Sequence, residues 1–214
     1  MYQNRIHAGE ILLNEIVKRG IDKSASFLFA VPRGGVEVAY PMAKALKKPI
    51  IPLIVHKIPS SFNRELAIGA ISIFGDSYFN ELSKTESSEY MEKITKETLK
   101  EVKERYKKYG VNFDFEEIKG KEVLLVDDGI ATGATLFLAA KGLLKYAPSK
   151  IYTVVPVSSA DGFELLSTVS TVISPIIDRY FIAVSQYYEE FSQLSEEQTV
   201  RFIQESSNSA TTGA

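Results

Sequence analysis

The stretch Val123-Leu124-Leu125-Val126-Asp127-Asp128-Gly129-Ile130-Ala131-Thr132-Gly133-Ala134-Thr135 decides the fold. Consecutive apolar residues without a polar alternation mark a strand buried on both faces, as in a parallel sheet covered by helices. This strand runs straight into two adjacent carboxylates and a small-residue turn, and Leu136, Ala140, Leu143 and Leu144 then repeat at helical spacing. Such a turn directs backbone N–H groups and the Thr132 and Thr135 hydroxyls at one point beside the positive end of a helix dipole, which suits a phosphate monoester. The acid pair suits something else, because carboxylates repel phosphate but accept hydrogen bonds from vicinal hydroxyls. A sugar phosphate satisfies both halves. If the acids only capped the helix and the threonines only satisfied the turn, nothing would require every element in one register.

Three more apolar runs read as buried strands: Phe27 to Val31, Leu53 to Val55 and Ile151 to Val155. Helical patterns lie between them, Val36 to Leu46 among these, and the alternation predicts a doubly wound α/β fold with helices on both faces of a parallel sheet. Pro52 lacks an N–H, so the second strand begins after it or lies where that donor is not needed. Ala30-Val31-Pro32-Arg33-Gly34-Gly35 also ends a strand and starts a helix. It supplies a guanidinium able to bind diphosphate oxygens bidentately, beside two glycines that permit close backbone approach.

From His56 to Asn80 the chain is too long for a tight connection, and its polar first half carries His56, Lys57, Arg64 and Glu65. This predicts a long functional loop. Lys57, immediately after the second strand, is the cation best placed for a diphosphate, whereas Arg64 and Glu65 are as readily a mutual surface pair. His56 has no histidine or cysteine nearby and is given no role. The clearest helix spans Ser83 to Tyr109: Ser83 and Glu86 have capping-box spacing, Met91, Ile94, Thr98, Val102 and Tyr106 form a stripe, and Glu92/Lys96 and Glu101/Arg105 are i,i+4 pairs. Residues 206–214 carry no core-forming pattern and are expected to be a disordered tail.

The 25 basic and 27 acidic residues of the 214-residue chain give no electrostatic case for wrapping a nucleic acid or lying on an anionic membrane. With no cysteine and two histidines, thiolate chemistry and thiolate zinc are excluded. No apolar run is long enough for a membrane helix and no leader pattern stands at the N-terminus, so the expectation is a cytoplasmic protein. One G-x-G-x-x-G after the first strand would have signalled a dinucleotide enzyme, and there is none.

The string from Val123 to Thr135 resembles the phosphoribosyl-diphosphate (PRPP) motif of the type I phosphoribosyltransferases, and Arg33-Gly34-Gly35 is similar to that family's pyrophosphate loop. The resemblance covers roughly 27–157, and the segment from Asp178 to Gln193 looks like the ending of a group of these proteins with unassigned substrate. It implies one domain over 1–205, whose hood is built from the N-terminal segment and about 158–205. Residues Ala131, Thr132, Gly133, Ala134 and Thr135 would hold the 5-phosphate, Asp127 and Asp128 the ribose hydroxyls, and Arg33, Gly34, Gly35 and Lys57 the diphosphate. The further implications are Mg2+ held through PRPP, with Asp127 or Asp128 reached through water at most; a nitrogenous acceptor, foremost a nucleobase; a homodimer; and a cis peptide before Arg33. Aromatics at Tyr180, Phe181, Tyr187, Tyr188 and Phe191 would either stack on a planar acceptor or pack the hood. Ala131 replaces the acid of the hypoxanthine-guanine branch, no base-reading lysine lies near 173–177, and the Lys- and His-rich loop of the orotate branch is missing. The alternative function is a regulatory protein that senses PRPP or a nucleotide without turnover.

Overall fold

The computed structural model describes residues 1–211. Helix α1 (Arg5–Lys18) is capped by Asn4, whose side chain accepts from the His7 amide at 2.9 Å. A short α2 (Ile21–Ser24) leads into strand β1 (Ala25–Ala30), helix α3 (Gly34–Leu46) and strand β2 (Ile50–Pro52). Next come β3 (Val55–Pro59), β4 (Ala67–Ser72), β5 (Ser77–Phe79) and the long helix α4 (Ser88–Lys108). Then follow β6 (Glu122–Val126), α5 (Ala134–Leu144), β7 (Lys150–Val154), β8 (Val157–Ser159), α6 (Ala160–Ser167), β9 (Thr171–Ile173), β10 (Ile176–Asp178) and α7 (Glu196–Thr211).

The central sheet has the order β2-β1-β6-β7-β9 and every pairing in it is parallel. Because side chains alternate along a strand, it feeds two cores. Leu28, Leu124, Val126 and Val154 face α1, α3, α4 and α7, while Phe29, Val123, Leu125 and Ile151 face α5 and α6. Each fully buried Leu or Ile contributes roughly 1.5–3 kcal/mol, which is why the runs carry no polar residue. The chain leaves β1 in one direction to β2 and in the other to β6, so the carboxyl ends of β1 and β6 form the point where strand order reverses, the usual ligand crevice of such sheets.

Several local expectations change. Pro52 ends β2, the second of its two expected placements, and its missing donor is harmless because β2 is an edge strand paired only with β1. The run Leu53 to Val55 is not a strand of the central sheet, since Val55 opens β3. The long polar connection is largely an antiparallel sheet, β3-β4-β5, with only residues 60–66 as the loop between β3 and β4. The long helix starts at Ser88 with Ser87 as cap, and residues 81–85 form a separate 3-10 turn. Glu86 is free of the capping box because it accepts from Ser60 and Ser61 instead. The stripe of α4 buries Ile94, Thr98 and Val102 as expected, and Glu92/Lys96 pair at 2.6 Å. Glu101 and Arg105 do not pair: Arg105 bonds Glu196 on α7, and Glu101 lies 3.9 Å from His56.

The supposed tail from 206 is helical as far as Thr211, and the rest of it lies outside the described residues. Serines at 206, 207 and 209 turn their hydroxyls onto carbonyls in the preceding turn, and Ser206 is buried, so a polar sequence still packs. Among the described residues, no helix is long and apolar enough to cross a membrane.

Candidate active site

β6 ends at Val126, and the two acids follow before α5 begins at Ala134. Gly133 caps α5 with φ +79°, a conformation that L side chains rarely adopt. Gly133 has no side chain to cap the helix, and the Ala134 amide meets Thr132 Oγ1 at 3.5 Å. The other first-turn amides have no intrahelical acceptor. The start of the turn is pinned from outside: Ser159 Oγ donates to the Ala131 carbonyl at 2.5 Å, and the Ile130 amide donates to the Val157 carbonyl at 2.9 Å.

A cavity of about 300 Å³ is lined by Lys57, Asp127, residues 129–136 and Val184. The anion turn, one acid and one cation from different elements thus meet in one space. Lys57 reaches it from β3, and a neighbouring space of about 450 Å³ continues past Lys57, Thr132 and Thr135 to Tyr78 and Leu165. Arg64 and Glu65 lie in a different recess with His56, against α4, and no ion pair joins them among the described residues.

Arg33 is not among the residues lining the 300 Å³ cavity, and its charge acts on the buried Tyr109 hydroxyl. The Pro32–Arg33 peptide is cis. Gly34 and Gly35 press against the acid pair. A methyl group on Gly34 would overlap the Asp128 carboxylate, and one on Gly35 would come within 2.7 Å of the Val126 carbonyl and 2.9 Å of Asp127 Cα. Side chains here would push β6 and α3 apart, a requirement that the sequence pattern alone assigns to the ligand.

The sequence reading gives no role to Arg5 or Ser159, and names Tyr188 only as an aromatic that stacks or packs. Arg5 Nε donates to Asp128 Oδ2 at 2.8 Å, its Nη1 lies 3.6 Å from Glu37 Oε2, and its guanidinium covers the Phe191 ring at 3.9 Å. Tyr188 donates its hydroxyl to the Asp128 carbonyl at 2.7 Å, and Ser159 holds the turn as described. Arg5 left one signal: it lies on the same helical stripe as Ala8, Gly9, Leu12 and Ile16, where a solvated arginine would not be placed. Gly9 lets α1 approach the Val38 carbonyl and Pro41 of α3 closely, which brings Arg5 to the acids. Of the aromatics expected to form a hood, Phe191 lies under the Arg5 guanidinium and against Tyr188, Phe181 stacks on Tyr187, and Tyr180 is exposed.

Electrostatically the acids are costly. Burial raises the Asp127 carboxyl well above the usual range, the Asp128 charge adds to this, and the Asp128 amide and Arg5 offset part of it. Burial also raises Asp128, against which the Arg5 guanidinium pulls back. Burial first, then the Asp128 charge, raises the Tyr188 phenol, which therefore stays a donor. A hydroxyl-bearing ligand donating to Asp127 would relieve what burial costs.

The acid pair and the glycine turn stand at the switch point of a parallel α/β sheet, the place where such sheets carry their ligand crevice. Residues 2–190 match the model of the phosphoribosyl transferase domain, and the chain belongs to that family. It is 30% identical over 207 residues to two Mycobacterium tuberculosis proteins, from strains CDC 1551 / Oshkosh and H37Rv, provisionally named phosphoribosyl transferases. The match covers 95% of this chain and 46% of each, so the chain spans about half the length of these curated relatives. Among solved structures, the protein TT1426 from Thermus thermophilus superposes with a TM-score of 0.73 at 26% identity, covering 95% of this chain and 98% of that one. The purine phosphoribosyltransferase of Pyrococcus horikoshii Ot3 shares the fold at a TM-score of 0.50 and 15% identity, over 88% of this chain and 93% of that one.

Proposed function

We propose that this chain transfers the ribose 5-phosphate group of PRPP to a nitrogenous acceptor, a nucleobase foremost, and releases diphosphate. One observation carries the reading: the 131–135 turn, Asp127 and Lys57 line a single cavity. The turn binds the 5-phosphate with preorganised donors, and Asp127 accepts from a ribose hydroxyl. Lys57, the cation that lines the cavity, neutralises the departing diphosphate, so that positive charge develops at C1 while a nitrogen lone pair approaches in line. The C1–O bond to diphosphate breaks, the C1–N bond forms, the acceptor nitrogen gives up its proton to water or to the departing diphosphate, and no covalent enzyme intermediate is required.

Two carboxylates, one already engaged by Arg5, are too few for a protein-built cage, and among the described residues no group of three His, Cys, Asp or Glu converges. That donor set fits Mg2+ held mainly by PRPP oxygens and water, with Asp127 or Asp128 reached through water. When bound, the ion would neutralise charge on the diphosphate. The test is incubation with PRPP, Mg2+ and a panel of nucleobases while diphosphate release is followed. Release with one base supports the reading; PRPP binding without release from any base returns the regulatory alternative. A crystal soaked in sulfate should show the anion on the amides of the 131–135 turn.

A further inference from the structure

Between β3, the loop 60–66 and α4 lies a recess of about 390 Å³, a size that small-molecule sites commonly have. The consecutive residues Val55, His56 and Lys57 all line it, and since neighbours along a strand point to opposite faces, the recess meets β3 at its edge. In its sheet β3 pairs only with β4, so the backbone groups of the other edge have no strand partner. The Tyr90 hydroxyl of α4 donates to the Pro59 carbonyl at 2.9 Å and fixes helix against strand. The loop is fixed by its own bonds: the Ser60 amide donates to the Leu66 carbonyl at 2.8 Å and the Glu65 amide to Asn63 Oδ1 at 2.9 Å, which sets Arg64 and Glu65 on the rim. Different kinds of group converge there. Lys57 and Arg64 bring positive charge, with the His56 imidazole beside them, Glu65 and Glu101 bring carboxylates that only accept, and Val55, Pro59 and Ile94 form an apolar floor. His56 Nε2 stands 3.9 Å from Glu101 Oε2, too far for a hydrogen bond that would close the site.

A plain anion would leave the carboxylates and the floor unused, and a plain apolar ligand would strand the charges. A phosphate, vicinal hydroxyls and a flat ring carried by one molecule satisfy all three, and that combination is a nucleoside monophosphate. Lys57 links this recess to the chemistry, because it lines the recess and the 300 Å³ cavity alike. One ammonium cannot neutralise an anion on each side at full strength. We propose that the recess is a regulatory site for a nucleoside 5-monophosphate, whose phosphate engages Arg64 and draws Lys57 from the diphosphate side of the cavity, so that transfer slows. The slowing rests on the transfer reading above, whereas the ligand class rests on the recess alone. Transfer to a nucleobase forms a compound of this class, so the site gives the reaction's product a brake on the next turnover.

The experiment titrates adenosine, guanosine, cytidine and uridine 5-monophosphates into the protein by calorimetry, with inorganic phosphate for comparison, and repeats this with Arg64→Gln and Glu101→Ala. Both side chains are exposed, and alanine is at home in a helix, so the fold should be kept. Arg64→Gln removes charge-assisted bonds to the phosphate and should weaken the best-bound nucleotide about 10-fold or more, and Glu101→Ala about 5-fold. Without nucleotide, both variants should release diphosphate from PRPP within about 2-fold of the unsubstituted rate. At saturating PRPP the nucleotide should slow that release about 5-fold in the unsubstituted protein and leave Arg64→Gln uninhibited at the same concentration. No binding of any of the four, or affinities unmoved by both variants, would overturn the proposal. So would inhibition that saturating PRPP abolishes or that Arg64→Gln retains, since the nucleotide would then sit in the cavity. Inorganic phosphate bound as tightly as every nucleotide would overturn it as well, because ring and hydroxyls would add nothing. If no base brings diphosphate off PRPP, the transfer reading falls by itself, and calorimetry on the two variants still decides whether the recess holds a nucleotide.

Discussion

The Ile50 amide donates to the hydroxyl of Ser206, a residue 156 positions later, at 2.9 Å in the buried interior. Ile50 opens the edge strand of the central sheet, and α7 covers that edge with a side chain where a neighbouring strand would otherwise stand. Ser206 also donates to the Ile203 carbonyl at 2.6 Å, so its hydroxyl is used in both senses. Ser206→Ala leaves the Ile50 N–H buried without a partner. We expect a loss of about 1–3 kcal/mol in denaturant unfolding, with Ser207→Ala as the milder comparison.

Gly34→Ala should damage both stability and binding. The new methyl would overlap Asp128 and come within 3.0 Å of Arg5 Nε, neither of which can retreat through the packed pair. Overpacking of this kind costs about 1–3 kcal/mol, and because the acids move, PRPP affinity should fall with the melting temperature. Gly120→Ala, at a surface turn with open space around it, separates the two effects: its φ of +69° strains the backbone, but it should leave PRPP affinity unchanged.

Stability should fall as pH rises above the ordinary carboxylate range, in the part due to Asp127. The folded chain holds this proton more tightly than the unfolded one, through burial and the Asp128 charge. Between the unfolded value near 3.9 and the raised folded value, the folded state binds more protons, so the contribution present at low pH is lost on going up. Each unit of difference is about 1.36 kcal/mol. Unfolding measured from acid to neutral pH should therefore show a flatter fall in Asp127→Asn, and an unchanged profile would mean that Asp127 is not protonated preferentially in the folded state.

The loop 60–66 is clipped by Glu86, which accepts from Ser60 Oγ at 2.6 Å and from the Ser61 amide at 2.9 Å, with the charge resting in the loop's own donors. These bonds lower the Glu86 carboxyl against the opposing effect of burial. Glu86→Ala should release the loop and speed tryptic cleavage after the exposed Arg64 severalfold.

How far these features were legible differs by kind. The buried strands at Val123 and Phe27 and the turn at Gly133 were readable because burial and left-handed backbone leave marks in neighbouring residues. The hairpin β3-β4-β5 was not, because Gly69, Ala67 and Ala70 give a weak alternation, and its pairing joins residues that only the folded chain brings together. Helix α7 was missed for a related reason: the string Ser206 to Ser209 has poor helix formers, and tertiary contacts such as Ser206 with Ile50 supply what propensity lacks. At the site, Asp127, Thr132 and Lys57 were visible as motif residues, whereas Arg5 shows in the sequence only as a cation on the apolar stripe of α1, and its meeting with Asp128 needs the close approach of α1 to α3 at Gly9.

The contact of Arg5 with the Ser192 carbonyl joins points 187 residues apart. Closing so large a loop carries a high entropic cost, and little of it is recovered until the central sheet already brings the two segments near. The surroundings of Asp128 are thus completed late in folding, after the anion turn, which needs only β6, α5 and β8. Interactions absent from the folding transition state act mainly on escape from the native state. Tyr188→Phe, which deletes only the hydroxyl over Asp128, should then hasten unfolding in stopped-flow measurements while leaving the refolding rate nearly untouched.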